Sequence, residues 1–374
     1  MSQTVQIENA TGITSFQKGL ELSQLGEYEA AILWFDAAIQ AQSDSYEVWM
    51  EKGTALINLG RQEEAIACFE RAIACEPALP LAHYSLGWAA YVTRRYEQAL
   101  TSFQQVLELQ PDFPNVHYSL GLASYMTGRY SEAICHLQQV LSEQPDFADA
   151  WYTEGLVLYA TGRFESAIKN FNKTLDLQPD SYEAYRGRAD ALRELGDYEA
   201  AIASYDKALG LKSDDAESWF QWAFCMKQLG RYREAVFGFD KALSFQPDDW
   251  RAWYHCGTCL MKQQNDEQAI ASYDQTLKFE PNHYGAWFNR GVALKNLGQF
   301  EAAIASYDKA IELQPDDHKA WNNRGSALIS LGQFEAAIAS FQRVLEINPD
   351  DERAKQNLAR ATRHLTQRTT AAGS

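Results

Sequence analysis

The sequence predicts an all-α fold built from ten consecutive copies of one helix-turn-helix unit. Alanine recurs every 34 residues from Ala31 to Ala337 without a slip. A fixed period of this length indicates an array whose units bury their apolar faces against neighbouring units. Within each unit, two stretches show helical apolar spacing, and glycine and proline fall at fixed places after them. Counting positions 1 to 34 from Gly12 gives repeats at 12–45, 46–79, 80–113, 114–147, 148–181, 182–215, 216–249, 250–283, 284–317 and 318–351.

Each element of a repeat follows from its residue types, taken in chain order. Position 8 is glycine or alanine, which lets the two helices of a repeat approach closely. Position 15 is glycine except at Arg94 and Gln264, so we expect the first helix, helix A, to end in a turn with positive φ. Positions 21, 24 and 28 are apolar, as in Ile304, Tyr307 and Ile311, and form the buried stripe of a second helix, helix B. Proline at position 32 in eight repeats ends that helix.

The residues after the last repeat predict one more helix. Ala354, Leu358, Ala361 and Leu365 are spaced as a single helical stripe, and basic residues lie off it. We expect a capping helix over 352–368 that covers the open end of the array, because terminal faces of repeat arrays require a cover. The remaining ends are expected to be an N-terminal segment, 1–11, and a disordered tail, 369–374. The array leaves no stretch for a separate catalytic domain.

The repeat pattern resembles the tetratricopeptide repeat, with its Trp-x2-Leu-Gly-x2-Tyr, Ala-x3-Phe and Pro signature. In repeat 10 the pattern is carried by Trp321, Gly325, Leu328, Ala337, Phe341 and Pro349. The resemblance covers about nine tenths of the chain and is closest in style to bacterial, particularly cyanobacterial, members. It implies an α-solenoid, a right-handed superhelix of ten helix-turn-helix repeats plus a C-terminal capping helix. Helix A would line the concave groove, and helix B would form the convex back.

Composition limits the class of partner and the compartment. The formal net charge of −17 disfavours binding to nucleic acid, which depends on Lys and Arg neutralising phosphates. No apolar run is long enough to cross a membrane, although peripheral association with a membrane complex stays open. The N-terminus lacks a charged start followed by an apolar stretch, so no secretory signal is predicted. We expect a cytoplasmic protein.

Two groups of residues could carry chemistry. Cys256 and Cys259 form a Cys-x-x-Cys motif, which can be redox-active or metal-binding. Cys259 lies at a position that holds small residues in the neighbouring repeats, which favours a structural role. His83 and His117 occupy position 4 of adjacent repeats and could bridge a metal, but Trp or Tyr at this position elsewhere favours half-buried rings. We therefore expect no catalytic residue, no metal, no cofactor and no enzymatic activity.

Helix B changes little between repeats, whereas helix A diverges, as expected for a surface adapted to a ligand. Positions 5, 9 and 12 share one face of helix A, and the resemblance directs that face into the groove. In repeats 3 to 5 this face is aromatic or apolar. We call its residues the aromatic strip: Tyr84, Trp88, Tyr91, Tyr118, Leu122, Tyr125, Met126, Tyr152, Leu156 and Tyr159. We expect it to bind a partner; the alternative is that these are ordinary family residues or pack turns of the superhelix.

In repeats 6 to 10 the same side of helix A becomes cationic and polar. We call these residues the cationic strip: Arg186, Arg193, Lys227, Arg251, Lys262, Asn289, Lys295, Lys319, Asn322 and Asn323. A positive lining on an acidic chain could attract an acidic segment. The alternative is a solvated face balanced by Asp190, Glu194 and Glu217.

These features favour a non-enzymatic scaffold or adaptor that binds a peptide, helix or loop of a partner protein in the groove. Three other uses fit the same residues: an assembly factor peripheral to a membrane complex, a sensor of a peptide signal, or the substrate-recruiting subunit of an enzyme system. The sequence determines neither the partner nor the oligomeric state.

Overall fold

A computed structural model describes residues 12–41 and 45–372 of the chain. This part of the chain contains 21 helices and no strand, which confirms the all-α prediction. The helices A are Gly12–Gln24, Tyr46–Asn58, Pro80–Val92, Val116–Met126, Ala148–Ala160, Tyr182–Glu194, Ala216–Gln228, Trp250–Lys262, Tyr284–Asn296 and His318–Ser330. The helices B are Tyr28–Gln40, Gln62–Cys75, Tyr96–Leu109, Tyr130–Glu143, Phe164–Leu177, Tyr198–Leu211, Tyr232–Phe245, Asp266–Phe279, Phe300–Leu313 and Phe334–Ile347. A C-terminal helix, Glu352–Ala372, follows.

The chain divides into two compact units, Met1–Pro179 and Asp180–Ser374, here called the N-terminal and C-terminal units. Within each unit, helix A packs against helix B of its own repeat, and helix B packs against helix A of the next. Helices A of neighbouring repeats also contact one another, in repeats 1–2 and 4–5 of the N-terminal unit and throughout repeats 6–10 of the C-terminal unit. Residues that project from these helices A therefore share a surface within each unit.

The close approach of the two helices depends on the small residue at position 8. A Cβ atom placed on Gly87 would lie 2.5 Å from the ring of Phe103 at position 24, closer than packed atoms allow. Repeat 7 achieves the same close approach of helices A and B with a different pair of small residues. It has Ala223 at position 8, and Gly238 on helix B faces it, with room for only one of the two methyl groups. The alanine at position 20 is fully buried in all ten repeats.

The turn after helix A adopts a left-handed conformation at position 15. The eight glycines at this position have φ between 72° and 79°. Arg94 and Gln264 adopt φ of 62° and 59° at the same position, although they lack the conformational freedom of glycine. In repeat 3 the next amide, on Arg95, donates to the carbonyl of Ala90 at 2.8 Å, the hydrogen bond that closes a helix C-terminus of this type.

Two boundaries differ from the sequence-based expectation. Helix A of repeat 4 begins at Val116, two residues after the predicted start of that repeat, because Asn115 takes a left-handed φ of 60°. The C-terminal helix ends at Ala372 and not at residue 368, so the expectation of disorder at 369–372 is corrected. These residues are Thr-Thr-Ala-Ala, and the first helix breaker is Gly373. Residues 1–11 and 373–374 lie outside the described residues.

The C-terminal helix covers the last helix pair, as predicted. Ala354 and Ala361 on its stripe are fully buried, and Leu358 packs on a cluster that includes Leu328 and Phe341. The imidazole of His364 stacks on Phe334 with ring centroids 5.3 Å apart. This helix therefore removes the apolar end face of repeat 10 from water.

Candidate partner-binding surfaces

The first part of the aromatic strip is a ladder of rings on helix A of repeat 3. The centroids of Tyr84 and Trp88 are 6.3 Å apart, and those of Trp88 and Tyr91 are 5.5 Å apart, both edge to face. Trp88 also meets the buried ring of Phe103 at 5.8 Å. Such edge-to-face contacts orient aromatic rings. All three rings of the strip are half-buried, so each keeps part of its surface available.

A cavity of about 380 Å³ opens beside Trp88, between helix A of repeat 2 and helix A of repeat 3. Its lining is mainly apolar and comprises Thr54, Ile57, Gln62, Phe69, Leu81, Tyr84, Ser85, Trp88, Ala89 and Val92. Three of these are unusually exposed for apolar side chains: Ile57 at 36%, Leu81 at 52% and Val92 at 59%. The cavity is therefore an apolar recess with an apolar rim.

The sequence reasoning missed this cavity, although one signal was present. In repeats 3 to 5 the side chain at position 12 packs on the aromatic ring at position 17, as in Tyr91–Tyr96 with centroids 5.5 Å apart. Repeat 2 has Gln62 in place of that ring. Its position-12 residue, Ile57, consequently has no ring to cover it and forms part of the rim.

The strip tyrosines of repeats 4 and 5 also have packing roles. Tyr118 meets Phe147, Tyr125 meets Tyr130, Tyr152 meets Phe171 and Tyr159 meets Phe164, with ring centroids 4.8, 6.3, 5.9 and 5.5 Å apart. Burial raises the pKa of Tyr91, Tyr118 and Tyr125, so their hydroxyls stay protonated. Leu122 and Leu156 are half-buried, and Met126 is 40% exposed. Met126 is thus the exposed residue of the strip, and Trp88 is the strip residue beside the open cavity.

The arginines of the cationic strip all have carboxylate partners within the C-terminal unit. The ion pairs are Arg186–Asp190 at 4.0 Å, Arg193–Glu194 at 2.8 Å, Arg251–Glu217 at 3.0 Å and Arg251–Asp249 at 2.8 Å. These pairs include the three acidic residues named as the balancing set in the sequence analysis. For the arginines, internal pairing therefore accounts for the charge without an external partner.

The lysines of the strip differ from the arginines. Lys227 Nζ lies 3.2 Å from Nδ1 of His255, and Lys295 Nζ lies 3.4 Å from Oδ1 of Asn323. Desolvation lowers the pKa of both lysines, and the nearby charge of Arg353 lowers that of Lys295 further. Among the described residues, neither lysine has a carboxylate at ion-pair distance. They are half-buried cations that no carboxylate in the described part of the chain neutralises at ion-pair distance.

The remaining strip residues lie at the margins of this surface. Lys262 and Lys319 are exposed. The side-chain amide of Asn289 donates to the hydroxyl of Tyr254 at 3.4 Å, Asn322 is buried and contacts Asn357 on the C-terminal helix, and Asn323 accepts from Lys295. The strip therefore does not form one continuous charged surface: paired arginines alternate with unpaired lysines and aromatic rings.

The Cys-x-x-Cys motif has the properties of core residues. Cys256 and Cys259 are buried, and burial raises the pKa of their thiols to about 12 and about 11. The thiolate is the reactive and metal-binding form of cysteine, and these thiols stay protonated at neutral pH. The structure thus supports the structural interpretation of the motif over the redox one.

The two histidines at position 4 have separate partners. His83 Nε2 lies 3.0 Å from the carbonyl oxygen of Pro77. His117 Nδ1 lies 3.1 Å from Nδ1 of His136, on helix B of the same repeat. Both rings are half-buried and each has its own contact, which supports the interpretation of these histidines as packed rings. Within residues 12–41 and 45–372, no group of three or more His, Cys, Asp or Glu side chains could hold a metal ion.

Stacked helix pairs without strands define the class of helical repeat proteins, and comparison with known families specifies which one. A tetratricopeptide repeat model matches residues 16–80, 84–148, 134–173, 152–216 and 288–352, and a second model of the same description matches 226–289. The chain belongs to the tetratricopeptide repeat family, whose members are generally protein-interaction scaffolds. No helix in the described part of the chain is long and apolar enough to cross a membrane. No curated protein matches the chain.

Solved structures of other repeat proteins are similar to this chain. The C-terminal part of a tetratricopeptide repeat-containing protein from Cytophaga hutchinsonii has a TM-score of 0.56 and 16% identity, covering 64% of this chain and 98% of that one. YrrB, described as a TPR protein with an unusual peptide-binding site, has a TM-score of 0.47 and 26% identity, covering 50% and 96%. PilF of Pseudomonas aeruginosa has a TM-score of 0.46 and 18% identity, covering 57% and 97%. The first of these likenesses shows the fold.

Proposed function

We propose that this protein is a non-enzymatic scaffold that binds a peptide, helix or loop of a partner protein on the helix-A face of its N-terminal unit. The observation that carries the proposal is the apolar cavity beside Trp88, whose rim residues Ile57, Leu81 and Val92 remain exposed. Clustered exposed apolar side chains commonly mark interaction sites. The aromatic strip continues from this cavity along helix A of repeats 4 and 5.

The aromatic residues at the cavity are of the types that form binding hot spots. Tryptophan and tyrosine are enriched among the residues that dominate binding energy, and they perform best in recesses that exclude water. Trp88 stands at such a recess and is held in place by Phe103 behind it. Because its ring is already oriented, little side-chain entropy is lost when a partner docks.

The test starts from a partner recovered from native lysate with the full chain and identified by mass spectrometry. The purified partner is then titrated against the wild-type chain and against Trp88→Ala combined with Tyr125→Ala. We expect affinity to fall by about 2 kcal/mol or more, roughly thirtyfold, if these rings dominate binding.

Two further variants separate binding from folding. Val92→Lys places a charge on the exposed apolar rim without replacing a ring of the ladder, and should weaken binding to a similar degree. Leu33→Ala is the control, since Leu33 is 53% exposed on helix B of repeat 1 and should leave affinity unchanged. Affinity unchanged in both the double variant and Val92→Lys would refute the proposal.

A second binding surface is favoured by the unpaired lysines of the C-terminal unit. A glutamate-rich peptide should bind there with an affinity that falls as salt rises, because ion pairs on an open surface are screened over about 8 Å at physiological ionic strength. Lys227→Gln with Lys295→Gln should weaken this binding, whereas Lys207→Gln with Lys241→Gln, which change exposed lysines on helices B of repeats 6 and 7, should not. An affinity that does not change with salt would show that this surface does not act through charge.

A further inference from the structure

We infer that the segment held at the Trp88 cavity is basic and amphipathic, with one large apolar anchor side chain flanked by Lys or Arg. This inference rests on the proposed function and specifies the partner's chemistry. The cavity supplies the anchor site: at about 380 Å³ it can take a large apolar side chain, and its lining is mainly apolar, with Thr54, Gln62 and Ser85 as its non-aromatic polar side chains. A charged or strongly polar group placed there would lose its hydration without compensation.

The charged side chains on the helix-A face next to the cavity are acidic, whereas Arg61, which precedes Gln62 of the lining, is paired with Glu64. Glu47 and Glu51 lie at positions 2 and 6 of helix A in repeat 2, about two turns and one turn before Thr54 on the same face. Helix A of repeats 3 and 4 contains no Asp, Glu, Lys or Arg, and Asp149 opens helix A of repeat 5. At positions 2, 5, 6, 9, 12 and 13 of helices A in repeats 1 to 5, the chain has these three carboxylates and no lysine or arginine.

Among these three carboxylates, Glu51 carries a charge that its burial disfavours. It is half-buried, and desolvation raises its pKa, with no neighbouring positive charge acting in the opposite direction. A lysine or arginine from a bound segment would supply that charge about one helical turn from Thr54 of the cavity lining. This arrangement is the opposite of that at Lys227 and Lys295 in the C-terminal unit, where the uncompensated groups are cations.

The net charge of the whole N-terminal unit also favours a basic segment. Residues 1–179 contain 22 acidic and 10 basic side chains, so the N-terminal unit carries −12 of the net −17. A field of this sign attracts basic segments and repels acidic ones over distances longer than contact. It also disfavours two other occupants: residues 1–11 of this chain, which contain Glu8 and no Lys or Arg, and the N-terminal unit of a second copy.

The experiment selects ligands without assuming their sequence. Random 12-residue peptides displayed on phage are selected on the wild-type full chain and depleted on the Trp88→Ala chain, which leaves peptides that depend on the cavity. We expect the survivors to share one Leu, Phe or Trp anchor and a positive net charge. The preferred peptide is then synthesised with a fluorophore, alongside one version with its basic residues changed to Glu and another with its anchor changed to Ala.

Fluorescence anisotropy should show at least tenfold weaker binding for both altered peptides. Glu47→Gln combined with Glu51→Gln should weaken the basic peptide about threefold to tenfold. The control is Glu165→Gln with Asp176→Asn, which removes two exposed carboxylates from helix B of repeat 5 and should change affinity less than twofold.

The outcomes separate this inference from the function on which it rests. Survivors that are neutral or acidic, or a basic peptide indifferent to Glu47→Gln with Glu51→Gln, would overturn the charge preference and leave the Trp88 site standing. A selection that yields no peptide dependent on Trp88 would overturn both. Equal losses in the Glu47/Glu51 variant and the helix-B control would show that only the long-range field acts, which contradicts the local role of Glu51.

Discussion

The turn after helix A gives a sharp test of how backbone geometry stabilises this array. Gln264 adopts φ of 59° at a position where eight repeats have glycine. In the folded state, an L-residue in the left-handed region is strained by about 1–2 kcal/mol. Glycine avoids this strain, but it lowers the free energy of unfolding by about 0.4–1 kcal/mol because it gives the unfolded chain more conformational entropy. The Gln264 side chain is exposed and makes no hydrogen bond among the described residues. Gln264→Gly should therefore stabilise repeat 8 by about 0.5–1 kcal/mol.

The reverse change should have the reverse effect. Gly298 has φ of 74°, and nothing lies within 4 Å of a Cβ atom built on it, so Gly298→Ala introduces backbone strain and no clash. We expect it to destabilise repeat 9 by about 1 kcal/mol. Gly210 is the matched control. It also has open space around it, but it lies inside helix Tyr198–Leu211, where alanine is preferred over glycine by up to about 1 kcal/mol. Gly210→Ala should stabilise repeat 6.

Native-state hydrogen exchange is the suitable measurement, because stability in a repeat array is approximately a sum of local terms. A change of 1 kcal/mol alters the exchange rate of amides in the affected repeat about fivefold. Exchange should slow in repeat 8 of Gln264→Gly and quicken in repeat 9 of Gly298→Ala. The reasoning is refuted if Gly298→Ala and Gly210→Ala change protection in the same direction, or if Gln264→Gly weakens its repeat.

Two further predictions concern the end of the array and its response to acid. Truncation after Asp351 uncovers the surface near Leu328 and Phe341, so repeat 10 should lose exchange protection and the protein should self-associate in size-exclusion chromatography, while repeats 1 to 8 stay folded. Loss of protection along the whole array, or unchanged protection in repeat 10, would contradict this prediction. Burial, with the charge of Lys227, lowers the pKa of His255 to about 4. The unfolded chain therefore binds a proton first as pH falls below about 6.5, and the C-terminal unit should lose about 2–3 kcal/mol of stability between pH 7 and pH 4 in urea titrations, a loss that His255→Gln should reduce.

The sequence by itself determined the helices and the turns between them. Its 34-residue period requires every unit to bury the same apolar stripe against the next, and glycine and proline mark where each helix must end. Nine of the ten helices A begin at position 1 of their repeat, and the exception, at Val116, follows from the left-handed Asn115. At Arg94 and Gln264 the residue type argued against a left-handed turn, but packing of helices A and B imposed it. Tertiary contacts can outweigh a local cost of this size, because the neighbouring turns of both helices are held by buried side chains.

Only the tertiary structure decided which cavities and ion pairs form on the helix-A face. Spacing placed Trp88 on that face, but the cavity beside it is formed by Ile57 and Val92 on two different helices, and its volume depends on the distance between them. The sequence also left open whether Arg186 and Arg251 were free, because charge spacing along a chain does not fix the distance between side chains. The structure pairs both with carboxylates and leaves Lys227 and Lys295 without one. Periodic burial is encoded in residue order, whereas a recess or an ion pair depends on how neighbouring repeats meet in space.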